Sequence, residues 1–161
     1  MPRRDRRPKT DKRCNEPLGP QQPKALAALV TEDGRHNHPL FSFGLMDRAY
    51  DGAWGWHLLN DTDARRLLDL MCEMARLTWQ DIRTQTASGH LRHHSQGVDS
   101  LCPDAKKRIV DLSLDDMGEE VFRFRLDGTA RLWGFELGDG IFHALWWDPN
   151  HRVCPLEKAH T

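Results

Sequence analysis

Two glycine-bearing interruptions, Asp127-Gly128 and Gly138-Asp139-Gly140, cut the C-terminal part of the chain into three short apolar runs. This spacing constrains the fold more than any other feature. Glycine and aspartate supply the backbone angles that tight hairpins need. The runs 120-EVFRFRL-126, 130-ARLWGFEL-137 and 141-IFHALWWD-148 therefore read as three strands of an antiparallel meander. Upstream, 40-LFSFGLM-46 alternates with a period of two and reads as a further strand. The aromatic, glycine-rich 50-YDGAWGWHLL-59 fits either a second strand or a packed loop.

Between these strands lie helical patterns. Asn60, Asp61 or Thr62 can cap a helix from about Asp63 to Leu77, whose Leu67, Leu68, Met71, Met74, Ala75 and Leu77 form an apolar stripe. Thr78 can cap a short helix over 79–85, and Pro103 opens a third over 104–113. The polar, glycine-bearing 87-ASGHLRHHSQGVDSL-101 reads as a loop. The expected class is α+β: an antiparallel sheet ending in a three-stranded meander, with two or three helices packed on one face.

Charge is unevenly spread along the 161 residues. The net charge is −1, yet residues 1–13 hold seven basic and two acidic residues. The proline-punctuated segment 1–38 reads as a disordered basic arm, with 24-KALAALV-30 as one short helical possibility. Residues 39–155 form the expected single domain, and 156–161 a flexible tail. No stretch approaches ~18 uninterrupted apolar residues, so a membrane span is not expected. No apolar run follows the basic N-terminus, so a secretory signal is not expected and the cytoplasm is the expected location. The four cysteines show no CxxC pair, which suits free thiols in a reducing compartment.

Strand register assigns side chains to faces. If Asp127-Gly128 is a two-residue turn and Leu137 faces Ile141, one face carries Phe122, Phe124, Leu126, Arg131, Trp133, Phe135, Leu137, Ile141, His143, Leu145 and Trp147. The opposite, open face then carries Arg123, Arg125 and Trp146, with Arg123, Leu132 and Trp146 in one cross-strand row. A slip of one residue or a bulge moves Arg131, His143 and Trp147 to the open side. Either way the two adjacent tryptophans split across the faces, leaving one of them available to a ligand.

The open face and the turn that follows it are where chemistry is expected. Arg123 and Arg125 offer planar donor forks that suit phosphate. Trp146 offers a stacking plane for a base. His151 and Arg152 arrive at the strand end. This combination suits RNA, whose unpaired bases stack while arginines hold the backbone. The same arginines also suit solvent-facing strand positions paired with acids such as Glu136, and Asp148-Pro149-Asn150 is sound turn chemistry in its own right. The cluster 90-HLRHHS-95 invites a metal, but Gly89 and Gly97 argue against the helical spacing His90 and His94 would need, and 36-HNH-38 lies in the arm. No metal or other cofactor is expected, and no phosphate-cradling glycine loop or nucleophile elbow occurs.

The segment 123-RFRLDGTARLWGFELGDGIFHALWWDPNHRVCP-155 resembles the last three strands of the RelE/ParE-like toxin family. In that family an arginine-bearing strand precedes a strand whose exit carries a basic or imidazole residue. The tail is also similar to that of small bacterial proteins ending in a Trp-Asp-Pro-x-His turn. The resemblance spans roughly 40–155, and its specific part is 119–155. It implies binding to RNA or the ribosome, a cognate antitoxin as partner, and metal-independent mRNA cleavage through the ribose 2′-hydroxyl. It implies His151 as acid or base, Arg123 and Arg131 as catalytic phosphate-holding residues, and Arg125, Trp146 and Arg152 as RNA-binding residues. Cys154 stands where many relatives carry tyrosine, and the body is acidic. Two other classes stay open: a non-enzymatic protein-binding module or inhibitor, and a nucleic-acid-binding accessory or antitoxin that uses the basic arm.

Overall fold

A computed structural model describes residues 37–155. The basic arm, its possible helix at 24–30 and the tail at 156–161 lie outside the described residues, except that Asn37 and His38 are part of the folded body. The carbonyl of Asn37 accepts from the Trp79 amide (2.9 Å), and the His38 ring bonds the Leu77 carbonyl (3.0 Å).

The fold is α+β. Strand β1 (Leu40–Ser42) is followed by a packed loop with a 3-10 turn at Trp56–Leu58, then helices α1 (Asp61–Met74) and α2 (Trp79–Thr84). A hairpin of β2 (Thr86–Ala87) and β3 (His90–Leu91) leads into β4 (His94–Gly97) and α3 (Pro103–Asp111). The meander β5 (Glu120–Arg125), β6 (Arg131–Glu136) and β7 (Ile141–Asp148) completes it. The five-stranded sheet runs β1-β7-β6-β5-β4, with β1 parallel to β7 and the other pairs antiparallel.

The helices begin where side chains satisfy their first free amides. Asn60 accepts from the Asp63 amide (2.8 Å). Thr78 and Asp81 form a reciprocal capping box on α2. Pro103 sits in the first turn of α3, where its missing donor costs nothing. The segment 50–59 resolves as a loop rather than a strand: Trp54 is buried and stacks on Tyr50 at 4.5 Å.

Two helices, α1 and α2, pack on one face of the sheet as expected, and α3 covers part of the other. The first core joins Leu67, Leu70, Met74, Trp79 and Ile82 to Phe122, Phe124, Leu132, Phe142, Ala144 and Trp147. The second joins Trp54, Leu101, Ala105, Ile109 and Leu114 to Val121, Trp133, Phe135, Leu145 and Trp146. This second layer corrects one expectation. Trp146 and Trp147 do point to opposite faces, but both faces are covered there and both rings are fully buried. Trp146 offers no stacking plane to a ligand.

Register differs from the two-residue turn assumed at Asp127-Gly128. Arg125 pairs with Arg131, and the Leu126 amide bonds the Ala130 carbonyl (3.1 Å), so the turn holds three residues, with Gly128 at φ 40. That one extra residue carries Arg131 and Trp133 to the Arg123 face. A bulge then shifts the β6–β7 pairing between Trp133 and Gly134. Gly134 is required at that point: a Cβ there would lie 2.2 Å from the His143 carbonyl oxygen. The cross-strand row is therefore His94, Arg123, Trp133 and Trp146, not Arg123, Leu132 and Trp146.

The second core is tied together by Asp47, which is buried. Its carboxylate accepts two bonds from Arg108 on α3 (2.7 Å each) and one from Trp146 Nε1 (3.1 Å). Burial alone would raise the Asp47 pKa, but these donors outweigh it and hold the pKa below the ordinary value. Replacing Asp47 by alanine leaves a guanidinium and an indole unpaired. The expected loss is about 3 kcal/mol in urea unfolding. A loss below about 1 kcal/mol would show that the network does not hold the layer in place.

Candidate functional site

The sheet face under α3 is apolar at one end and basic at the other. Val121, Trp133 and Phe135 lie beneath the α3 layer, whereas Arg123, Arg125 and Arg131 continue the same face beyond it. A cleft of ≈ 750 Å³ opens over these arginines. Its walls are His90, Leu91, His94 and Ser95 from the β3–β4 segment, Gly128 and Thr129 from the β5–β6 turn, and His151 from the turn after β7.

Local structure explains each position. The three-residue turn places Arg131 directly opposite Arg125. Thr129 donates to the Pro149 carbonyl (2.8 Å), which locks the β5–β6 turn against the chain leaving β7. Asp148 is buried and accepts from Trp133 Nε1 (3.2 Å) and from the amides of Arg152 (2.8 Å) and Val153 (3.0 Å). Those bonds close the turn and hold His151 at φ 55, a left-handed conformation uncommon outside glycine. The turn role of Asp148-Pro149-Asn150 and the arrival of His151 are thus one device.

Electrostatics set this cleft apart. Among the described residues no carboxylate lines it, and none forms an ion pair with Arg123, Arg125 or Arg131. Arg131 is only 5% exposed. Its Nη1 donates to the carbonyls of Gly128 (2.9 Å) and Ala130 (3.0 Å), while its Nε is buried without a partner, as is Nη1 of Arg123. Burial, with Arg123 and Arg125 beside it, pushes the Arg131 pKa down to about 10. Burial also lowers that of Arg123. The His151 pKa is lowered too, first by burial and then by Arg131 and Arg123, so its ring is neutral at pH 7.

The expected residues divide clearly. Arg123, Arg125, Arg131 and His151 converge on this cleft. Arg131 was expected on the helix-covered face and lies on the basic one because of the turn length. Trp146 is core, and Arg152 is exposed and does not line the cleft. The segment 87–101, read from sequence as a loop, supplies the hairpin, β4 and an entire wall. Its strand character comes from pairing with the otherwise free edge of β5, not from any alternation of its own. His90 and His94 belong to that wall, and no cluster of metal-ligating residues is found among the described residues. No helix among the described residues is long and apolar enough to cross a membrane.

His93 is the one residue here that no sequence signal separated from its neighbours. It is fully buried against Phe124 (5.3 Å) and accepts from the Arg125 amide through Nδ1 (3.0 Å), anchoring the strand that bears the cleft arginine. Burial, then the surrounding arginines, pushes its pKa down to about 3.

No protein-family model matches the chain, and no curated protein or solved structure matches it either.

Below the ordinary imidazole pKa the unfolded chain binds a proton at His93 that the folded chain does not. Folding stability should therefore fall as pH drops from ~6.5 toward 5, by at most about 1.4 kcal/mol per pH unit for this group. His93→Asn keeps an acceptor for the Arg125 amide and removes the titration. Denaturant unfolding at several pH values should show a shallower slope for this variant, and an unchanged slope would contradict the assignment.

Proposed function

We propose that this protein binds RNA in the Arg123–Arg125–Arg131 cleft and cleaves it without a metal, as a toxin-like endoribonuclease. The observation that carries the reading is the buried Arg131, set beside two further guanidiniums, with no carboxylate ion-paired to any of the three among the described residues. An uncompensated buried cation is costly, and an anion seated in the cleft offsets that cost. Phosphate matches the planar donor fork of arginine, and three forks suit a phosphodiester with its neighbours along a backbone. The toxin-like part of the reading, with a ribosome as further target and a cognate antitoxin as partner, rests on the resemblance of residues 119–155.

The chemistry follows from the groups present. Neutral His151 takes the proton from a ribose 2′-hydroxyl. The 2′-oxygen attacks the adjacent phosphorus and the bond to the 5′-oxygen breaks. The leaving oxygen receives a proton delivered through the ring of His90, which lines the same cleft. The products are a 2′,3′-cyclic phosphate and a 5′-hydroxyl. Arg123, Arg125 and Arg131 stabilise the charge that builds on the phosphoryl oxygens.

The test pairs binding with cleavage. Fluorescence anisotropy of a labelled single-stranded RNA should show binding weakened about tenfold or more by Arg131→Ala and by Arg123→Ala. His151→Ala should bind within a few-fold of the parent but cleave about 100-fold more slowly or worse. Cleavage that persists unchanged in His151→Ala, or RNA affinity indifferent to both arginines, would overturn the reading. Expression in bacteria adds a second readout: growth arrest should vanish in the same variants.

A further inference from the structure

One hydrogen-bond relay on the cleft wall goes beyond this reading while resting on the same site. His94 on β4 stands directly opposite Arg123 on β5. The Arg123 guanidinium donates through Nη2 to Nε2 of His94 at 2.5 Å. The other ring nitrogen, Nδ1, lies 2.7 Å from the Ser95 carbonyl oxygen. A carbonyl only accepts, so Nδ1 carries the hydrogen and Nε2 is the bare acceptor. These two bonds fix one tautomer of the ring. A second proton would aim an N–H at a guanidinium, placing donor against donor and charge against charge.

An oxyanion arriving at Arg123 changes this logic. Its oxygens are better acceptors for the guanidinium than an imidazole nitrogen is. Once Arg123 turns to the anion, Nε2 faces an oxygen and can bond it only as a donor. Nδ1 remains committed to Ser95, so a donor at Nε2 requires a proton from solvent. We propose that His94 is the proton-coupled half of a phosphate clamp: a tetrahedral oxyanion displaces it from Arg123, and the ring takes up one proton to hold that anion. His94 is thus a positioning and binding residue, and the cleft gains a positive charge only when an anion is present.

The charged and titratable groups around His94 come from every surrounding element. Arg123 and Arg125 lie on β5, Arg131 begins β6, His90 is on β3, and His151 follows β7. Cys154 adds its field at Arg123, and Asp148 adds its own at Arg131 and His151. His90 and His151 are the other imidazoles of this cleft, so the test must separate them from His94.

Sulfate is the probe, because it does not titrate near neutral pH. Calorimetric titration of sulfate at pH 7, in two buffers of different ionisation enthalpy, reads protons taken up on binding. Uptake approaching about one proton is expected for the parent, and affinity should rise as pH falls, by at most about tenfold per pH unit. His94→Gln keeps an acceptor for Arg123 and cannot be protonated. It should bind sulfate more weakly and lose the uptake, whereas His90→Gln and His151→Gln should retain it. Sulfate binding without uptake, or uptake that survives in His94→Gln, overturns the clamp and leaves the RNA reading standing. Sulfate binding with uptake, combined with no RNA binding, sustains the clamp and sinks the RNA reading. No sulfate binding at all overturns both.

Discussion

The register between β5 and β6 is the constraint on which the site depends. Three residues in the Asp127–Thr129 turn put Arg131 across from Arg125 and on the Arg123 face. With one residue fewer, Arg131 would point into the layer filled by Phe122, Phe124 and the α1–α2 pair, where a guanidinium has no polar partner. The turn thus decides whether the chain holds a triple-arginine patch or a broken core. Gly128 permits the turn, and the bond from Thr129 to the Pro149 carbonyl fastens it to the segment bearing His151.

Around that patch the buried carboxylates are paired. Asp47 satisfies Arg108 and Trp146, and Asp148 satisfies Trp133 and two backbone amides. Arg66, Arg83 and Arg92 all have carboxylate partners. Against this pattern, three cleft arginines with no ion-paired carboxylate among the described residues are a local exception. Natural sequences tolerate such exceptions where a ligand completes the arrangement. The left-handed backbone at His151 is a second local exception at the same place.

Much of the frame was legible in the sequence. The three C-terminal strands, the strand near Leu40 and all three helices follow from periodicity, glycine-bearing turns and capping residues, which act over a few positions. Arg123, Arg125 and His151 were legible as neighbours because strand order places them together. What could not be read is what depends on distant partners. Turn length at Asp127 and the bulge at Gly134 set the register, and both are settled by packing across the sheet rather than by local propensity. The second helical layer, which buries Trp146, depends on Asp47 meeting Arg108, residues 61 positions apart. The strand at His94–Gly97 has no alternation to announce it, so the histidine wall was hidden in a segment that looked like a loop. Three histidines in six residues, 90-HLRHHS-95, were the one available signal, and they suggested a metal before they suggested a wall beside arginines.

The central claim is that Arg131 is held at a cost that an anion offsets, and stability itself measures it most directly. Denaturant unfolding of the parent and of Arg131→Met should be compared with and without sulfate at constant ionic strength. Without sulfate the variant should be at least as stable as the parent, because methionine fills the site without a buried charge. Added sulfate should stabilise the parent in a saturable way, by about 2.7 kcal/mol at a hundredfold excess over its dissociation constant, and should stabilise the variant by no more than about 1.4 kcal/mol at the same concentration, the value for a tenfold weaker site. A variant clearly less stable than the parent in the absence of anion, together with no response of the parent to sulfate, would contradict the account.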